Sequence, residues 1–183
     1  MKKIIFITSI TIILITTLLF ITFQINISLN KYNSKKVVEI FNKTIKEQEL
    51  APSYEYDNNL PKIEINNTDY IGVLNIPKYQ TLLPIESRCK KNILKDVSTC
   101  LYSKSNFIIL GNNLRSSFIN YKKYSINDQI TFTNSLGQIF EYEIIKIERI
   151  SNLEDISSYN KDLIIAIKDY YSMNYILLLC NIY

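Results

Sequence analysis

The chain has 183 residues, 47% of them hydrophobic and 21% charged, which gives room for one globular domain and excludes a disordered chain. Its net charge of +4 is concentrated near the N-terminus in Lys2, Lys3, Lys31, Lys35 and Lys36, where lipid headgroups are the expected partner, and no basic stripe interleaved with aromatics points to nucleic acid. There is no histidine, and the three cysteines, Cys89, Cys100 and Cys180, match no zinc spacing, so no metal or cofactor is expected.

Residues 4–23, IIFITSITIILITTLLFITF, carry no charge and no helix breaker. Such a stretch, at a rise of about 1.5 Å per residue, spans about 30 Å, the thickness of a bilayer's hydrocarbon core. The Ser and Thr hydroxyls can bond back to helix carbonyls and are tolerated in lipid. A cleaved signal peptide has a shorter apolar core and small residues after it. Here Gln24-Ile25-Asn26-Ile27-Ser28-Leu29 follows, so an uncleaved transmembrane anchor is expected. Lys2 and Lys3 favour a cytoplasmic tail over residues 1–3, against Lys31, Lys35 and Lys36 on the other flank. A single anchor before one compact domain leaves that domain outside.

In residues 34–50, SKKVVEIFNKTIKEQEL, Val37, Ile40, Phe41 and Ile45 recur at helical spacing with Lys and Glu on the other face. A juxtamembrane helix is predicted, ended near Pro52. The Asn-rich residues 54–68 read as a linker, so residues 24–68 form the helix and linker ahead of a domain over 69–183.

From Tyr70 the pattern turns to β. Tyr70–Ile76 and Gln80–Glu86 read as strands separated by Pro77-Lys78. Residues 89–97 suit a short helix. Asn106–Leu110 is an apolar strand ended by Gly111, and Asn127-Asp128 turns into Gln129–Thr133. A hairpin at Ser135-Leu136-Gly137 leads into Gln138–Ile150. Along that strand the apolar set lies on Phe140, Tyr142 and Ile144, then moves to Ile145 and Ile147, which predicts a bulge. Asp162–Ile167 and Tyr175–Cys180 are further strands, joined by Lys168–Asn174. A mainly β domain with short helices is expected, as a small closed barrel.

Several blocks resemble the sortases, most closely their class B and class D-like members from Gram-positive bacteria. IGVLNIPK at 71–78 looks like the first strand and its Ile-Pro turn, LLPIES at 82–87 like the next strand, and KNILKD at 91–96 like the following helix. NFIILGNN at 106–113 looks like the strand that ends in Gly-His-Asn, and SINDQITFTNSLGQIFEYEI at 125–144 like the turn, strand and hairpin beyond it. The resemblance implies a sortase-like eight-stranded β-barrel behind an N-terminal transmembrane helix. It also implies a single-pass plasma-membrane protein with its domain on the extracytoplasmic side. The family's activity is cleavage of a sorting motif and transpeptidation to a cell-wall or pilin amine.

That chemistry uses a Cys nucleophile, a His acid–base and an Arg that donates hydrogen bonds. The His position falls on Asn112, which cannot take up a proton. Two registers are open for the Cys. One aligns YILLLC with the nucleophile strand and makes Cys180 the rival nucleophile. The other aligns DLIIAI with it, which puts Lys168 at the Cys position and Tyr175 at the Arg position. The second is preferred because it uses every predicted strand and leaves no bare barrel edges.

The plainer readings are a core residue for Cys180, a solvated loop lysine for Lys168 and a turn for Asn112-Asn113. For the three cysteines together they are small buried hydrophobes, with at least one free thiol if the others pair. Arg115 and Arg149 are the remaining candidates for binding a carboxylate. The preferred function is a sortase-family protein that is non-catalytic or strongly impaired, with binding of sorting-motif peptides or scaffolding of another sortase as its role. An active atypical sortase using Cys180, or an unrelated β-rich surface domain, are the alternatives.

Overall fold

Between residues 4 and 48 the sequence offers neither glycine nor proline. The computed structural model accordingly carries one unbroken helix, α1, over Lys2–Gln48. The structure describes residues 2–48, 61–89, 99–103, 106–113 and 117–183. The anchor segment and the juxtamembrane helix, read separately from the sequence, are one element. It is long and apolar enough to cross a membrane. Its side chains from Phe6 to Phe23 are exposed. Ser9, Thr11, Thr16, Thr17 and Thr22 donate to carbonyls three or four residues back at 2.8–3.0 Å, which satisfies their hydroxyls without water.

The far end of α1 is of another kind. Val37, Val38, Phe41 and Ile45 are buried against Ile63, Ile65, Tyr70 and Val73. Phe41 is fully enclosed, which ties the helix to the domain that follows.

That domain holds nine strands among the described residues: β1 (Ile63–Ile65), β2 (Thr68–Ile76), β3 (Thr81–Glu86), β4 (Thr99–Ser103), β5 (Ile108–Asn112), β6 (Gln129–Asn134), β7 (Ile139–Ile150), β8 (Leu163–Lys168) and β9 (Tyr175–Ile182). They run in the order β2-β3-β4-β5-β8-β9-β7-β6, and β6 pairs back onto β2. This closes an eight-stranded barrel and removes its edges. β1 is a ninth strand appended to β2. It falls in the stretch read as a linker, and its function is to cover apolar surface together with α1. β4 was also not expected from sequence. Residues 90–98, which include most of the predicted short helix, lie outside the described residues.

The turns follow their residues. Asn127 sits at φ 72° ahead of β6, and Gly137 at φ 79° in the β6–β7 hairpin. The predicted bulge lies in β7, where the register with β9 shifts between Ile144 and Lys146. Ile145 is the extra residue, and Ile144 and Ile147 can then both face the barrel interior.

Alternate side chains of β8 enter different clusters. Leu163, Ile165 and Ile167 fill the barrel, whereas Ile164 and Ala166 join Ile108, Leu110, Leu177 and Leu179 on its outer face. That outer patch is closed by Ile156 from a 3-10 turn over Leu153–Ser158. Burial on both faces is why this strand reads as a continuous apolar run. Cys89 and Cys100 form a disulfide with Cα atoms 5.0 Å apart and a sequence separation of 11. The reading of three buried hydrophobes therefore holds only for Cys180, the free cysteine among the described residues.

Candidate functional site

β5 and β8 pair in parallel, and β8 and β9 pair antiparallel. At one end of these strands Asn112 is the register partner of Lys168, and Lys168 is the register partner of Tyr175. Strand alternation puts all three on the outer face, in line with Leu110, Ala166 and Leu177. Three residues distant in sequence thus form one polar row across three strands.

Asn112 is 2% exposed and Lys168 7%, while Tyr175 is half-buried. The solvated loop lysine expected at 168 is corrected by this burial. Its ammonium donates to the Met173 carbonyl and lies 4.3 Å from the centre of the Tyr175 ring. A carbonyl oxygen and a ring face both attract positive charge. Burial, with Tyr102 and Tyr170 close by, pushes the Tyr175 phenol above its ordinary value.

The segments on either side of the row are held by Asp169, a residue the sequence reading passed over. Its carboxylate accepts from Asn113 Nδ2 at 2.6 Å, from the Tyr171 amide at 3.0 Å and from the Ser172 hydroxyl at 2.8 Å. Asn113 completes the link, donating its amide to the Lys168 carbonyl at 3.1 Å and accepting from the Tyr170 amide at 3.3 Å. Burial by itself would raise the Asp169 carboxyl. Hydrogen bonds from Ser172 and Tyr171 outweigh it and hold the group below the ordinary carboxylate value. The Tyr121 hydroxyl adds to this lowering, although it is buried without a hydrogen bond of normal geometry. The only local signal in the sequence is an Asp just past a strand end, a residue whose carboxylate accepts from the amide two positions on, as it does here from Tyr171.

Beneath Asn112 the packing is tight. A Cβ on Gly111 would run into the Phe118 ring, so a glycine is required there. The Asn112 amide points at Ser117 Oγ at 3.5 Å, and that hydroxyl lies 3.2 Å from Thr99 Oγ1. Asn112 is the last residue of β5, so the turn read at Asn112-Asn113 begins only at Asn113.

Cys180 is elsewhere. It pairs with Leu163 at the opposite end of β8, five residues along β9 from Tyr175, or roughly 17 Å at about 3.4 Å per residue. It is 0% exposed inside the barrel core, and burial pushes its thiol up to about 12. Arg149 is exposed on β7 opposite Ile176, whose side chain joins the interior core, and Arg115 lies outside the described residues. An open cleft lined by Glu64, Asp69, Glu86 and Arg88 contains none of the row's residues.

The row is a set of hydrogen-bonding groups. Asn112 can donate and accept but not transfer a proton, and neither Lys168 nor Tyr175 is a thiol.

No protein-family model matches the chain, and no curated protein matches it. Solved structures do. A sortase D5 transpeptidase from Clostridium perfringens superposes with a TM-score of 0.56 at 18% identity, covering 85% of this chain and 99% of that one. Sortase C1 from Streptococcus agalactiae gives 0.53 at 17% identity, over 81% of this chain and 89% of that one. A Clostridium perfringens sortase C, solved with a C-terminal cell wall sorting motif, gives 0.52 at 14% identity, over 81% and 90%. With its closed eight-stranded barrel and these neighbours, the chain has the sortase fold.

Proposed function

We propose that the protein is a membrane-anchored sortase-fold protein without transpeptidase activity, which binds extended sorting-motif peptides at its barrel. The observation that supports this reading is that Asn112, Lys168 and Tyr175, the residues that the resemblance to sortases puts at the His, Cys and Arg positions, lie in one row across three strands. Asn112 cannot transfer a proton, and the Lys168 ammonium, held by the Met173 carbonyl and the Tyr175 ring, does not stand in for a thiolate.

The rival reading, catalysis by Cys180, is opposed by its place in the core. Burial pushes the thiol up to about 12, so it stays protonated at neutral pH, and its place in the core leaves a peptide carbonyl no route to it.

The setting is extracytoplasmic in this reading, with the apolar part of α1 as an uncleaved anchor. The Cys89–Cys100 disulfide supports it, because such bonds persist outside the reducing cytosol. Burial of Phe41 against the barrel supports retention of the helix.

The test uses the full chain in detergent micelles and a panel of sorting-motif peptides. Fluorescence anisotropy is expected to show saturable binding, and mass spectrometry to show intact peptide. Cleaved peptide, or an acyl group on Cys180, overturns the reading. Absence of binding with co-purification of an active sortase would instead favour scaffolding of that enzyme.

A further inference from the structure

Among the described residues the seam between β3 and β4 is the narrowest in the barrel, pairing only Ile85 with Thr99 and Glu86 with Cys100, against eight pairs between β7 and β9. It is also parallel, so no tight hairpin holds its register. The disulfide sits at this place. Cys100 is one of the two paired residues on β4, and Cys89 lies three residues beyond Glu86.

The seam connects to the polar row in two ways. Thr99, next to Cys100, is within 3.2 Å of Ser117 Oγ, on which the Asn112 amide rests. Cys100 is also the β5 register partner of Leu110, two residues before Asn112. A change at Cys100 therefore reaches Asn112 through one strand pairing and one hydroxyl pair.

We propose that Cys89–Cys100 is a site of thiol–disulfide exchange that controls the order of the Asn112–Lys168–Tyr175 row. With the bond formed, the β3–β4 seam is closed and Asn112 is seated on Ser117. With the bond reduced, the seam keeps the two strand pairs among the described residues, and the Thr99–Ser117 contact beneath Asn112 loosens.

The partner is a protein dithiol of the Cys-x-x-Cys kind. Cys89 is half-buried and Cys100 is 3% exposed, so the incoming thiolate attacks Cys89 Sγ. The Cys89–Cys100 bond breaks, and Cys100 leaves as a thiolate and takes up a proton. The second thiol of the partner then attacks its own sulfur in the mixed disulfide, and Cys89 departs and is protonated. The partner leaves as a disulfide, having supplied two electrons and two protons. The reverse sequence forms the bond.

The experiment is residue-resolved amide hydrogen exchange on the full chain in detergent micelles, before and after treatment with thioredoxin kept reduced. Exchange at Thr99, Cys100 and Asn112 is expected to rise at least about tenfold, while β7 and β9 stay within about twofold. Reoxidation is expected to restore the first values. A double variant, Cys89→Ser with Cys100→Ser, is expected to match the reduced protein. Unchanged exchange at Asn112, an equal rise in every strand, or a bond that thioredoxin does not reduce in the folded chain each overturns the proposal.

Discussion

Asn112 and Lys168 stand side by side at the ends of two parallel strands, as Cα register partners of β5 and β8. Neither is exposed, so each keeps polar atoms at a strand end at the cost of desolvation. Asn113 and Asp169, the residues that follow each strand, offset that cost with a direct hydrogen bond of 2.6 Å. The row is thus built on a second pair that locks the two strand ends together.

The wild-type chain is expected to release no product from sorting-motif peptides in a mass-spectrometric assay. Asn112→His, Lys168→Cys and Tyr175→Arg, made one at a time, leave it inactive. The triple variant is the first to combine nucleophile, acid–base and cationic donor, and activity is expected only there, because these groups act as a unit. Product formed by the wild type, or by Asn112→His alone, refutes the assignment of the row.

Cys180 is expected to resist thiol reagents in the folded protein and to react once the chain is unfolded in urea. Burial and a thiol pushed up to about 12 both act in this direction. Cys180→Ser places a hydroxyl in the barrel core and is expected to cost about 1–3 kcal/mol, read from urea midpoints. Rapid labelling of the native chain, with protection by a peptide, is the contrary result.

Strong, long patterns were legible in the sequence. The long apolar helix, β2, β3, β5 to β9 and the bulge at Ile145 follow from apolar runs and alternations in the sequence. β1 was hidden because three residues, Ile-Glu-Ile between Asn-rich stretches, make no statistical pattern, and what fixes it is pairing with β2 and packing against the end of α1. β4 was hidden because Thr99–Ser103 has little branched apolar content and depends on its neighbours. The disulfide could not be chosen among three possible pairs from spacing. Lys168 was misjudged because a strand-end lysine is ordinarily solvated, and what buries it is a tertiary row.

The junction between α1 and the barrel gives a third test. Phe41 is fully enclosed by α1, β1 and β2, so Phe41→Ala is expected to cost about 3–5 kcal/mol in domain stability. A chain beginning at residue 49 uncovers Ile63, Ile65, Tyr70 and Val73 and is expected to bind a hydrophobic dye and aggregate. A truncated chain as stable as the full one, in the same detergent, refutes the docked helix.

The last test is acid. The Asp169 carboxyl is held below its unfolded value, with burial opposed by hydrogen bonds from Ser172 and Tyr171. Its stabilising contribution is fully present above the unfolded value of about 3.9, where the carboxylate exists in both states. As pH falls below that value the unfolded chain binds the proton first, and the contribution is lost progressively until the pH has passed through the lower, folded value. Asp128 behaves in the same sense. Burial would raise it, but Lys78, Tyr79 and the Ser125 amide hold it down, at 2.6, 2.6 and 2.8 Å. Urea midpoints are therefore expected to be flat from about pH 7 to 5 and to fall below about pH 4. Asp169→Asn is expected to cost about 1.5–3 kcal/mol at neutral pH, through the loss of charge-assisted hydrogen bonds. It is also expected to flatten part of the acid slope. An unchanged slope in Asp169→Asn would show that the carboxylate does not hold the two strand ends together.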